Sequence, residues 1–108
     1  MDIKTWKIWK VIIAHLRSAQ QALPVSTSDN QAEYQRLTKD FEEYLEHNEL
    51  ELALNMLEEL GELNLCRGGF WRRMQQAASA MGLDERIEEY RVEYRKSLAR
   101  LEQMGYRN

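Results

Sequence analysis

Apolar side chains recur every three or four positions through almost the whole chain, and that spacing restricts the fold more than any other feature. It is the period of one helix face. In residues 2–23 the recurring set is Trp6, Trp9, Ile12, Ile13, Leu16 and Ala19, with Lys4, Lys7, Lys10 and Arg17 on the other side. This predicts a first helix with both tryptophans in the core. Pro24 and the polar run VSTSDN make a loop, in which Ser28 or Asp29 can cap the next helix. The second helix is predicted over 30–47, with Tyr34, Leu37, Phe41, Tyr44 and Leu45 inward. Asn48 has Glu51 three residues later, the spacing of a capping box, so a third helix is expected to start there. Its inward residues are Leu50, Ala53, Leu54, Leu57 and Leu60, and Gly61 is a plausible stop. The two helices are nearly contiguous, which implies a tight αα-hairpin or a sharp kink.

GELNLCRGG then reads as a loop, since Gly68 and Gly69 disfavour regular structure. A fourth helix over 70–81 carries Phe70, Trp71, Met74, Ala77, Ala78 and Met81 and ends at Gly82. Asp84 is the expected cap of a fifth helix, which carries Ile87, Tyr90, Tyr94, Leu98 and Leu101 as far as Gly105. Glu88 with Arg91 and Glu93 with Lys96 are expected as exposed i,i+3 pairs. No β alternation lasts a strand's length. The expected fold is all-α: a compact bundle of about five short helices with a tight central αα-hairpin. The 108 residues, 44% of them hydrophobic, suffice for a single domain over 1–108 with one modest core.

Catalytic chemistry finds little support. His15, His47 and Cys66 stand far apart, and HNELE lacks the second histidine of a zinc-binding HExxH. CRGGF has no lysine or serine of a phosphate loop. The glutamate pairs Glu42–Glu43 and Glu58–Glu59 belong to helices whose apolar stripes lie elsewhere, so they are expected to face water rather than act as acid and base. No enzyme activity, metal or cofactor is therefore expected. The net charge of −3 disfavours general nucleic-acid binding. No run approaches a membrane span, and the lysine-bearing N-terminus is not a secretory leader. A single cysteine suits a reducing cytoplasm.

One stretch stands out. Asp40, Glu42, Glu43, Glu46, Glu49, Glu51, Glu58, Glu59 and Glu62 are nine of the eighteen acids in the chain, and no Lys or Arg interrupts them. An unselected solvated face mixes its signs, so the band reads as a docking surface for a basic partner, against the alternative of a chance run. The partner-binding residues expected are Glu42, Glu43, Glu46, His47, Glu49, Glu51, Asn55, Glu58, Glu59 and Glu62. Glu42 to Glu51 should gather around the turn, and Glu58 to Glu62 lie two turns further on.

The stretch FEEYLEHNELELALNMLEELGE, followed by FWRRMQQAASAMGL, resembles small all-helical bacterial immunity proteins of polymorphic toxin systems, those of contact-dependent growth inhibition included. The likeness covers residues 41–83: an aromatic-acidic helix, an HNE turn, a leucine-alanine helix, and FW opening a helix that ends in MGL. It implies cytoplasmic, stoichiometric inhibition of a cognate toxin domain, often a nuclease, and brings no catalytic residues. A nuclease carries a basic phosphate-binding cleft, which an acidic hairpin can occupy or flank. If contacts instead lie at the fourth helix, Arg67, Arg72 and Arg73 are the residues involved. Other readings are a helical interaction adaptor or secretion chaperone, and a regulator touching nucleic acid through Lys4, Lys7, Lys10 and Arg17.

Overall fold

The computed structural model describes residues 3–25, 29–63, 66 and 68–103, with the side chains of Ile3 and Lys4 outside that description. The expectations placed on Asp2, Ser28, Arg67 and Gly105 therefore lie outside the described residues. Among the described residues there are five helices and no strand: α1 (Ile3–Gln21), α2 (Gln31–Glu46), α3 (Leu50–Leu63), α4 (Gly68–Ala80) and α5 (Asp84–Gln103). α1, α3 and α4 pack on one another at the centre. α2 lies against α3 on one flank, and α5 lies against α4 on the other. The resulting body measures 51 × 29 × 20 Å.

The core follows the helical phase. Leu16 and Ala19 meet Phe41, Leu54, Leu57, Leu60, Phe70, Met74 and Ala77 in one buried cluster. Trp71 and Tyr90 close it on the α5 side, with Trp71 edge-on to Phe70 at 4.9 Å between centroids. α5 packs mainly on α4, so it is covered along a narrow strip. Tyr90 and Ser97 are buried there, while Ile87, Tyr94, Leu98 and Leu101 are only half-buried.

Two punctuation marks have the same geometry. At the end of α2, Asn48 adopts φ 58°. Its N–H donates to the Leu45 carbonyl and that of Glu49 to the Tyr44 carbonyl, at 3.1 and 2.8 Å. This is a Schellman motif, in which a left-handed residue after the helix satisfies the last carbonyls. Asn48 therefore closes α2 rather than capping α3, because asparagine tolerates the left-handed region. Residues 47–49 make the tight αα-hairpin connection that the sequence implies. Gly82, at φ 72°, ends α4 the same way, with Leu83 N–H donating to Ala78.

Other boundaries differ from expectation. Gly61 does not stop α3, which runs on to Leu63. A Cβ on Gly61 would sit 2.3 Å from Cε1 of Phe70, so the glycine lets the α4 aromatics approach the α3 backbone. α4 starts at Gly68, not Phe70, because the same need applies: a Cβ there would meet the Tyr94 ring at 2.8 Å. Asp84 is the first residue of α5, where its charge favours the helix N-terminus, and Leu83 supplies the flanking carbonyl. Asn30, not Asp29, flanks α2, and its side chain reaches Leu63 O at 3.4 Å instead of capping.

Candidate functional site

Acid repulsion in the band is relieved by cations from outside it, on α1, α2 and α5. Arg17 on α1 makes a two-pronged pair with Glu42, at 2.6 and 2.8 Å. Gln20 adds a third bond to the same carboxylate at 3.3 Å. Those Arg17 contacts hold the Glu42 carboxyl below its ordinary range. Asp40 pairs with Arg36 one turn earlier, at 3.3 Å. On the opposite side, Arg86 of α5 donates to Asn55 Oδ1 at 2.7 Å and to the Tyr90 hydroxyl at 2.9 Å, and lies 3.3 Å from Glu58. Glu42, Asn55 and Glu58 are thus tied to neighbouring helices. Periodicity reveals which face a residue occupies, but not which cation a distant helix brings to it.

What remains falls into two places. Glu43, Glu46, Glu49 and Glu51 are exposed around the α2–α3 turn, and none has an ion-pair partner among the described residues. His47 stands among them, its Nδ1–H donating to the Glu43 carbonyl at 2.8 Å. That bond raises the imidazole pKa, and the surrounding Glu46, Glu49 and Glu43 raise it further. His47 lies in the turn itself, and it charges as pH falls. The turn gathers these residues because a helix ends and another begins within three residues.

The second place is a cavity of about 190 Å³ lined by Glu58, Glu62, Trp71, Glu89, Tyr90 and Glu93. Glu62 is pushed above the usual carboxylate range by desolvation, then by Glu58, Glu93 and Glu59. Glu89 escaped the sequence reading and Glu93 entered it only as the partner of Lys96, although two like charges four residues apart on α5 are a visible signal. Glu93 is also paired with Lys96 at 3.5 Å, and Glu88 with Arg91, as the i,i+3 spacing implies. Glu59 is exposed, and its charge acts on both Glu62 and Arg36.

The first helix departs most from expectation. Trp71 is buried and Trp9 half-buried, but Trp6 is 48% exposed. Lys10 Nζ lies 4.0 Å above the Trp6 ring, so the indole serves an exposed cation rather than the core. Arg72 similarly covers the Tyr94 ring at 5.1 Å, and Arg73 is exposed. Among the described residues no cluster of His, Cys, Asp and Glu has the arrangement of a metal site. Cys66 is buried, and burial pushes its thiol up to about 11. No helix of the described residues is long and apolar enough to cross a membrane. Compared with known proteins, the chain matches no family model, no characterised protein and no solved structure.

Proposed function

We propose that the chain is an immunity protein that binds a cognate toxin domain and neutralises it stoichiometrically in the cytoplasm of the producing cell. The observation that carries the reading is the set of four carboxylates around one turn, Glu43, Glu46, Glu49 and Glu51, that have no ion-pair partner among the described residues while neighbouring acids are paired internally. Opposed charge accelerates encounter and rejects wrong partners. A nuclease is the toxin class that suits this face best, because its phosphate-binding cleft must be basic. The resemblance of residues 41–83 to such inhibitors supports the same role. The contact set narrows to those four acids with His47. Glu42, Asn55 and Glu58 act as internal ties, and Glu59 and Glu62 lie outside the patch.

The test is co-expression with whichever reading frame adjoins the gene, scored by growth, then association kinetics of the purified pair at two salt concentrations. Reversing Glu46 and Glu49 to lysine slows association and weakens its salt dependence. Reversing Glu85 and Glu88, both exposed on α5, leaves both unchanged. Equal effects from the two pairs would remove the turn from the interface. A second reading, a helical adaptor for other proteins, is favoured by the apolar surface on α1. A neighbouring frame without toxicity, together with retained binding to unrelated chains, would select it.

A further inference from the structure

We infer that the exposed N-terminal part of α1 is a self-association surface whose occupant is the acidic α2–α3 turn of a second copy of this chain. Three side chains mark the surface: Trp6 at 48% exposure and Ile8 and Val11 at 52% each. Trp9 is half-buried against the core, and full burial starts at Ile12 and recurs at Leu16 and Ala19. Val11 lies about 100° from Ile12 around the helix axis and faces solvent for that reason, but Ile8 lies only about 40° from Ile12 and Trp6 about 20° from the half-buried Ile13, so for these two the change is not one of face. It comes from length. Tyr34 Oη reaches the Pro24 carbonyl at 3.4 Å, while Arg17 reaches Glu42, so α1 runs opposite to α2. Eleven residues separate Arg17 from Trp6, a rise of about 16 Å, whereas α2 ends about 6 Å past Glu42. The first turns of α1 therefore reach past the end of α2, at the end of the molecule where the α2–α3 turn lies.

Charge selects the occupant. α1 contains no acid, and Lys7 and Lys10 are exposed among its apolar residues. The turn beside it offers Glu43, Glu46, Glu49 and Glu51, with no ion-pair partner among the described residues, and next to Glu51 stands Leu52, 42% exposed. An anionic bilayer or a nucleic acid approaching this end meets those carboxylates as well as the lysines. A second copy brings both signs and an apolar residue to each. Because tip and turn share one end, a two-fold axis lets each tip meet the other copy's turn, giving two equal contacts that close. Two such contacts are needed, since a stable interface buries on the order of 1,200 Å² in total.

The inference uses the acidic turn of the proposed function but needs no toxin, so it is measured on the chain alone. Sedimentation equilibrium of the wild type over micromolar to submillimolar concentrations is expected to show a dimer that weakens with salt. Lys7→Glu with Lys10→Glu makes both patches acidic, and reversal of Glu43, Glu46, Glu49 and Glu51 together to lysine makes both basic. Each variant alone is expected to lose dimer affinity about tenfold or more. An equimolar mixture is expected to restore it as a heterodimer, because both contacts again pair opposite charges. Helical circular dichroism confirms that each variant is folded, and Ile8→Asp, at an exposed site, tests the apolar part independently. A wild type that stays monomeric, variants that dimerise like it, or a mixture that fails to recover the dimer would each overturn the inference. So would a monomeric wild type that binds anionic vesicles or an oligonucleotide through this tip.

Discussion

Replacing Gly61 with alanine sets two effects of opposite sign against each other. Gly61 lies inside α3, where alanine is favoured over glycine by about 1 kcal/mol from helix propensity alone. The added Cβ would stand 2.3 Å from Phe70 Cε1, 2.9 Å from Phe70 Cζ and 3.1 Å from Trp71 Cη2. Carbon atoms rest near 3.5 Å, so the Phe70 ring must retreat by more than about 1 Å. It has nowhere to go: it is 1% exposed and sits edge-on to Trp71, itself 2% exposed. Relief then requires α4 to move off α3. Overpacking of this kind costs about 1–3 kcal/mol, and the steepness of the contact argues for the upper part. Net of propensity, the expected loss is about 1–2 kcal/mol, or a Tm fall of about 5–10 °C for a domain of this size. Gly69→Ala is the internal reference, because a Cβ there meets nothing within 4 Å and the residue also lies in a helix. It should hold or raise Tm. Thermal unfolding followed at 222 nm measures both. A Tm rise for Gly61→Ala would refute the close approach of α3 and α4 and return Gly61 to a solvated helix end.

Arg86→Met should cost about 2–3 kcal/mol, because Asn55, Glu58 and the Tyr90 hydroxyl lose a shared donor at a site where Arg86 is largely covered. A double-mutant cycle with Glu58→Gln checks it: coupling near zero would mean that the pair is only a surface contact. Glu62→Gln should stabilise the fold at neutral pH. Its folded pKa is raised, so the fold binds that proton more tightly than the unfolded chain does. The contribution of Glu62 is therefore fully present below the unfolded pKa and is lost as pH rises through the folded one. The gain from Glu62→Gln should accordingly vanish below about pH 4, and a gain independent of pH would show that charge is not its cause.

The five helices were legible because their stripes are long and their breaks carry asparagine or glycine at the required places. Asn48 shows the limit of that reading. An asparagine suits an N-cap and a left-handed C′ position equally well, and only the hydrogen bonds from Glu49 and Asn48 back to Tyr44 and Leu45 distinguish them. Gly61 and Gly68 look like stops for the same reason, although their role is to admit the Phe70 and Tyr94 rings. Trp6 fails differently. Its helical phase is compatible with the core edge, but how far α1 outruns the bundle depends on the lengths and senses of other helices. The acidic band was visible as composition. Its division into tied and untied carboxylates depends on Arg17 and Arg86, which lie on helices distant in sequence.

The untied acids can be tested against the fold that carries them. Glu46 is the last residue of α2, and no basic residue lies in that last turn. A helix C-terminus carries roughly half a negative charge, so an acid there is unfavourable, and Glu43 and Glu49 beside it add repulsion. Glu51 occupies the first turn of α3, where the same physics favours an acid. Lysine at each position should therefore act in opposite directions: Glu46→Lys stabilising by about 0.3–1 kcal/mol and Glu51→Lys destabilising by a similar amount. For a chain of this length the expected Tm changes are about 2–6 °C, largest at low salt. Binding makes a different demand, because both substitutions remove charge from the face offered to a basic partner and both should slow association. Glu46→Lys then yields a protein that is more stable and less able to capture its partner. Stability that rises while the association rate is unchanged would mean that Glu46 is a solvated residue kept for neither purpose. A fall in stability would mean that the turn acids are compensated by contacts other than those described.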